Sequence, residues 1–173
     1  MNEQQVRQAV EDGLNVYAVY DLEIIDGETG EVKDSGRARN LMTNEGLDHI
    51  LDVFFGSSSL DAAHYIGLKD STAPAAGDTM TQAAAYEITS YDEGSRQQFN
   101  PGSASSQSID NSGSVAQFTL SASVTVHGAF IATDNTKGGS SGTLISSGDF
   151  SSSKSGDDGD LVKVTVTFTA SDA

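Results

Sequence analysis

One stretch of this chain declares its conformation from local chemistry alone, and its surroundings must accommodate the result: Asn40–Gly56, NLMTNEGLDHILDVFFG. Thr43 suits an N-cap, because its hydroxyl can accept from an otherwise unpaired N–H of the first turn, and Glu45 sits at the positive end of the helix dipole. Apolar residues at Leu47, Ile50, Leu51, Phe54 and Phe55 follow the i, i+3, i+4, i+7, i+8 stripe of an amphipathic helix. Asp48, His49 and Asp52 take the opposite face, and Gly56 offers a stop in the left-handed region. The spacing predicts a helix over 43–55 whose apolar stripe lies on a sheet and plugs one end or face of a sandwich.

The remainder reads as strand and loop. Leu14–Ile25 places Val16, Ala18, Tyr20, Leu22 and Ile24 on one face, and Asp26–Gly30 carries turn chemistry. Glu31–Arg39 returns as a polar outer strand bearing Lys33, Arg37 and Arg39, three of the nine basic residues. These either guard an exposed sheet edge or meet a partner. Ala63–Leu68 is a short buried strand, Tyr86–Tyr91 and Arg96–Phe99 a second hairpin, and Asn100–Ser114 a surface loop with Ile109 as its one sizeable hydrophobe. Val115–Val126 alternates as one half-buried strand and Gly128–Thr133 continues it past a bulge. Leu144–Phe150 is a short strand, Ser151–Asp160 an acidic loop, and Leu161–Thr169 a closing strand with Val162, Val164, Val166 and Phe168 pointing one way. The expected fold is mostly β, an antiparallel β-sandwich (jelly-roll-like) with one amphipathic helix packed on it, spanning 14–173. Residues 1–13 form an N-terminal arm whose only strong hydrophobes are Val6 and Val10.

A formal charge of −16 sets the electrostatics. Such a surface repels phosphate backbones, so nucleic acid is not an expected partner. No segment approaches the length of a membrane span, and the N-terminus lacks the basic and apolar regions of a signal peptide. Cysteine is absent, which removes disulfides and thiolate chemistry.

Site chemistry is sparse. His49, His64 and His127 show no HxH or HExxH spacing, and no GxSxG elbow presents a nucleophile, so neither catalysis nor a cofactor is expected. Asp157, Asp158 and Asp160 around Gly159 are a weak calcium candidate, since hard carboxylate oxygens suit that ion; a solvated loop is the simpler reading. Tyr86 and Tyr91 could offer a sugar-stacking platform, but tyrosine on a strand is more often ordinary packing.

The order of segments carries one further signal. NLMTNEGLDHILDVFF is followed by HYIGLKDSTAPAAGDTMT, SVAQFTLSASVTV, GAFIATDNTKGGSSGTLIS and DDGDLVKVTVTFTAS. This series resembles a group of small bacteriophage virion proteins and tail-fibre or appendage domains, over about residues 31–170. Its most specific parts are Asn40–Leu47, Pro74–Thr79 and Gly159–Phe168; departures are His127 in place of an acidic residue, Lys69 in place of a glycine, and a last strand without tryptophan. The resemblance implies a non-enzymatic virion structural protein, made in the host cytoplasm. The first expectation is a capsid decoration or cement protein that binds the major capsid protein as a homo-oligomer, a trimer being favoured. A tail fibre, fibre adaptor or baseplate component is the alternative, and a carbohydrate-binding module a third. Expected contact residues are Val6 and Val10 on the arm, Lys33, Arg37 and Arg39 on the basic strand, and Asn100 and Ile109 on the long loop.

Overall fold

A computed structural model describes residues 14–56 and 58–172, so the arm with Val6 and Val10 lies outside the described residues. Two antiparallel sheets face each other across one core. In the first, β2 (Val32–Arg39), β1 (Leu14–Ile25) and β11 (Leu161–Asp172) lie side by side, with β7 (Ser108–Asp110) and β8 (Ala116–Thr119) sharing the far edge of β11. The second runs β3 (Leu41–Met42), β10 (Leu144–Gly156), β9 (Val124–Ala132), β4 (His64–Lys69), with β5 (Glu87–Ile88) and β6 (Gln97–Phe99) both paired to β4. The fold is the β-sandwich expected from the alternating strands.

Alternation decides which side chains meet. Ala18, Tyr20, Leu22 and Ile24 of β1 and Val162, Val164 and Val166 of β11 are buried and pack with Ile66, Leu68, Ala129, Ile131 and Ile145 of the opposite sheet. Each such aliphatic side chain removed from water contributes about 1.5–3 kcal/mol before the cost of ordering it. Tyr20 adds a polar tie between the sheets: its hydroxyl lies 2.5 Å from Ser146 Oγ on β10. Burial drives its pKa well above the usual phenol value, with the Ser146 bond opposing the rise only in part.

The hairpin of β1 and β2 forms as its turn chemistry predicts. Asp26 Oδ1 accepts from the N–H groups of Glu28 and Thr29 at 3.0 and 2.8 Å, and Gly30 takes φ +73°. Four other segments differ from the sequence reading. Val115–Val126 is not one strand: β8 belongs to the first sheet and β9 to the second, and the chain crosses between them at Leu120–Ser123. Phe118, Leu120 and Val126 still point into the shared core, so the hydrophobic alternation carries no mark of the crossing. The second hairpin does not form, because β5 and β6 pair with opposite ends of β4 rather than with each other. The polar run Ser151–Gly156 extends β10, with a register irregularity between Asp149 and Lys154, and confines the loop to Asp157–Asp160. Within the long loop, β7 pairs with β11 after a turn in which Ser106 and Gln107 have positive φ.

A short helix, α2 (Met80–Tyr86), joins the expected one. Its capping box, Thr79 with Gln82, is written in the sequence: Gln82 Oε1 accepts from the Thr79 N–H at 2.9 Å. Met80, Ala83 and Tyr86 cover the outer face of the second sheet against Phe130, Ala132 and Leu144. Phe130 lies across Gly67, where an added Cβ would come within 2.2 Å of the ring.

Candidate functional site

The expected helix, α1 (Asn44–Phe55), starts as its sequence dictates, with Thr43 Oγ1 accepting from Gly46 N–H at 3.0 Å. Its N-terminus is fastened to β10. Thr43 N–H donates to Ile145 O at 3.2 Å, Thr43 Oγ1 donates to Leu144 O, and Glu45 Oε1 accepts from Leu144 N–H at 2.5 Å. Gly56 ends the helix differently from expectation. Its φ is −94°, so it is extended rather than left-handed; its N–H donates to Asp52 O, and a Cβ would stand 2.6 Å from that oxygen. Close approach, not a positive φ, requires glycine there.

The rotation of α1 corrects the central sequence expectation. Gly46 sits against Ile145, where a Cβ would meet the carbonyl oxygen at 2.2 Å. This contact turns Gly46, His49, Ile50 and Val53 inward, one narrow i, i+3, i+4, i+7 stripe, and leaves the rest of the apolar arc outside. Leu51, Phe54 and Phe55 are 55%, 75% and 86% exposed, and Leu60 just beyond the helix is 81% exposed. Leu47 is exposed beside them. The apolar arc is wider than the sheet end it meets, so half of it remains on the surface.

Beneath α1 is a cavity of about 580 Å³ at the open end of the sandwich. Ile50, Val53 and Phe54 of α1 and Leu60 just beyond it line it together with Phe99, Ile109, Ile131, Ile145 and Phe168 of the sandwich. Asn100 also lines it, so two of the expected contact residues, Asn100 and Ile109, come to this end of the molecule. On the rim three side chains converge from separate elements: His49 from α1, Asp61 from the connection to β4, and His64 from the first position of β4. His49 Nε2 lies 2.5 Å and His64 Nε2 3.3 Å from Asp61 Oδ2. All three donor atoms lie within 4.8 Å of one another. Desolvation lowers the His64 pKa below the ordinary imidazole value and His49 adds to that, against the opposing pull of the Asp61 charge. No sequence motif announces this cluster, because separations of 12 and 3 residues match no metal-ligand spacing. The local sequence DAAH, which puts an acid three residues before a histidine at a strand start, was the one available signal.

The remaining site expectations fall elsewhere. Lys33, Arg37 and Arg39 lie on β2, the edge of the first sheet, and each is engaged within the chain. Arg37 forms a two-pronged pair with Asp21 at 2.6 and 2.9 Å, and Arg39 stacks 4.3 Å over the Tyr17 ring. Lys33 Nζ sits 3.0 Å from Asp157 Oδ2 and 2.7 Å from Asp160 Oδ2, placing an ammonium within the suggested calcium site. Asp160 Oδ2 also accepts from Asp157 N–H at 2.8 Å, and Asp158 is exposed. Tyr86 and Tyr91 are both buried, which removes them from any sugar-facing surface. Among the described residues no helix is long and apolar enough to cross a membrane. Comparisons with protein-family models, with curated proteins and with solved structures find no match for this chain.

Proposed function

We propose that this chain is a non-enzymatic structural protein that docks on a larger assembly through the outer face of α1. The observation that supports this reading is the exposure of Leu47, Leu51, Phe54 and Phe55 along one side of α1, with exposed Leu60 just beyond it, uncovered among the described residues, on a helix anchored to the sandwich. Apolar surface of this kind on a soluble protein marks an interaction site. Phenylalanine is among the aromatic residues that dominate interface energetics.

The partner is a protein surface with an apolar centre and a basic rim. Asp48 and Asp52, both exposed, border the patch, and the chain as a whole carries −16. Two such faces brought together would repel at their rims, which favours a different, complementary protein over a second copy at this surface. Taken with the resemblance to phage virion proteins, the reading is a capsid decoration or cement protein, with the major capsid protein as partner and the virion as location. Shell stabilisation then follows from linkage, because a ligand that binds only the assembled state shifts the equilibrium towards it. The trimeric homo-oligomer implied by the resemblance would use other surfaces.

Sedimentation of purified protein with expanded empty capsids, and separately with isolated tails, of the phage that encodes it tests the reading. Saturable pelleting with shells at a symmetry-compatible stoichiometry, with a raised capsid melting temperature, is the expected result. Pelleting with tails alone would transfer the protein to the tail, and binding to neither would remove the virion assignment.

A further inference from the structure

We propose that His49, Asp61 and His64 form a binding site for one divalent transition-metal ion of the zinc class, which ties α1 to the start of β4 at the cavity mouth. This inference stands independently of the docking reading. Three elements that share no local hydrogen-bond pattern deliver two imidazole nitrogens and one carboxylate oxygen to a common point, all within 4.8 Å. Metal–ligand bonds of about 2.0–2.1 Å in a tetrahedron set donor atoms about 3.3 Å apart. The His64 Nε2–Asp61 Oδ2 separation is already 3.3 Å. His49 Nε2, at 2.5 Å from the same oxygen, needs to withdraw by less than one ångström, within reach of a rotation of its side chain.

Charge at the site is compatible with a bound cation. Asp157, Asp34, Asp21, Asp149 and Glu87 each have a lysine or arginine partner. Asp61 has only the two imidazoles among the described residues, and no lysine or arginine lines the cavity. One carboxylate and two imidazoles face one another at a partly enclosed site, a donor set that a divalent cation can bridge. The donor set selects the metal. Imidazole with a single carboxylate suits Zn²⁺ and its neighbours in the first transition row, whereas Ca²⁺ and Mg²⁺ require oxygen-rich shells. Three protein donors leave the fourth position to water. His49 and Asp61 are partly buried and His64 is the most exposed of the three, so the site opens to solvent on the His64 side.

The test uses tag-free, full-length protein stripped with a chelator and then titrated with ZnCl₂ by calorimetry. Cobalt(II) serves as a spectroscopic reporter of coordination geometry. One equivalent of Zn²⁺ should bind, Co²⁺ should give the intense visible bands of a four-coordinate N/O site, and saturating Zn²⁺ should raise Tm by about 5 °C or more. H64Q and D61N should each weaken Zn²⁺ binding more than about 100-fold, beyond the loss seen when an outer-shell partner is removed. H127Q, which alters the one remaining histidine, should bind as the parent does. Circular dichroism confirms that the variants fold, and a folded H64Q separates ligand loss from unfolding. Absence of stoichiometric Zn²⁺ binding by the folded parent, or equal binding by H64Q, D61N and the parent, would overturn the assignment. Neither outcome bears on pelleting with capsids, which the apolar face of α1 governs.

Discussion

Arg96 and Glu87 form a two-pronged ion pair with both side chains fully buried: Nε to Oε1 at 3.0 Å and Nη2 to Oε2 at 2.7 Å. The same guanidinium donates to the carbonyls of Asp134 and Gly139, and Glu87 Oε2 accepts from Gly138 N–H. One pair therefore fixes the 134–139 turn against β5. Removing either partner strands a buried charge, and R96M or E87Q is expected to cost about 3–5 kcal/mol in chemical denaturation. The double variant E87Q/R96M should cost less than the sum of the two single ones, since it removes both charges together.

Asn111 continues the first sheet with a side chain in place of a strand. Its Oδ1 accepts from Val166 N–H at 2.7 Å and its Nδ2 donates to Val164 O at 3.2 Å, bridging the gap on β11 between β7 and β8. The residue is fully buried. N111A leaves both backbone groups unpaired, and each orphaned buried group costs about 1–3 kcal/mol. Hydrogen exchange should report the loss locally, as faster exchange at Val166 with the amides of the β1–β2 ladder unchanged.

Acid should loosen the β10–β11 turn. Burial alone would raise the pKa of Asp160, but hydrogen bonds from Asp157 N–H, Lys33 and Gly27 N–H outweigh it and hold the carboxyl below the ordinary value of 3.8. Asp157 is likewise held low, chiefly by its bond from Lys33. A carboxylate with a depressed folded pKa binds fewer protons folded than unfolded, so its contribution is complete above 3.8 and is lost as pH falls through the folded value. Melting temperature measured against pH should fall below about 4. D160N should lower Tm at pH 7 and flatten that acid limb.

Gly46 sets the rotation of α1, and its replacement tests that placement. In G46A the new methyl group would stand 2.2 Å from Ile145 O, a contact that backbone must move to relieve. The expected result is a loss of about 2 kcal/mol or more, although alanine is the better helix former. Equal stability of G46A and the parent in urea titration would show that α1 is not seated on β10 in this way.

How much of this was readable follows from what each residue obeys. β1, β11 and the Asp26–Gly30 turn were legible because one face of each strand meets the core and the other does not. The start of α1 was legible because Thr43 caps locally. Its orientation was not, since hydropathy points to the flank with Leu47, Leu51 and Phe55, while a backbone contact at Gly46 decides the rotation. The crossing at Leu120–Ser123 was hidden because both sheets share one interior, so alternation survives a change of sheet. Ser151–Ser155 reads as loop by composition but is held in β10 by pairing of Lys154 and Ser155 with β9. The meeting of His49 and His64 at Asp61 depends on how far the chain after α1 doubles back, which no spacing rule encodes.

Whether α1 docks through its outer face is tested most directly by comparing capsid pelleting by the parent with that by L51S/F54S/F55S. These side chains are exposed, so the variant should keep the parent's circular dichroism and melt at the same temperature or above it. Loss of saturable pelleting by the folded variant, with retention in the control K163S on β11 of the first sheet, is the predicted result. Undiminished pelleting by the folded triple variant would contradict it.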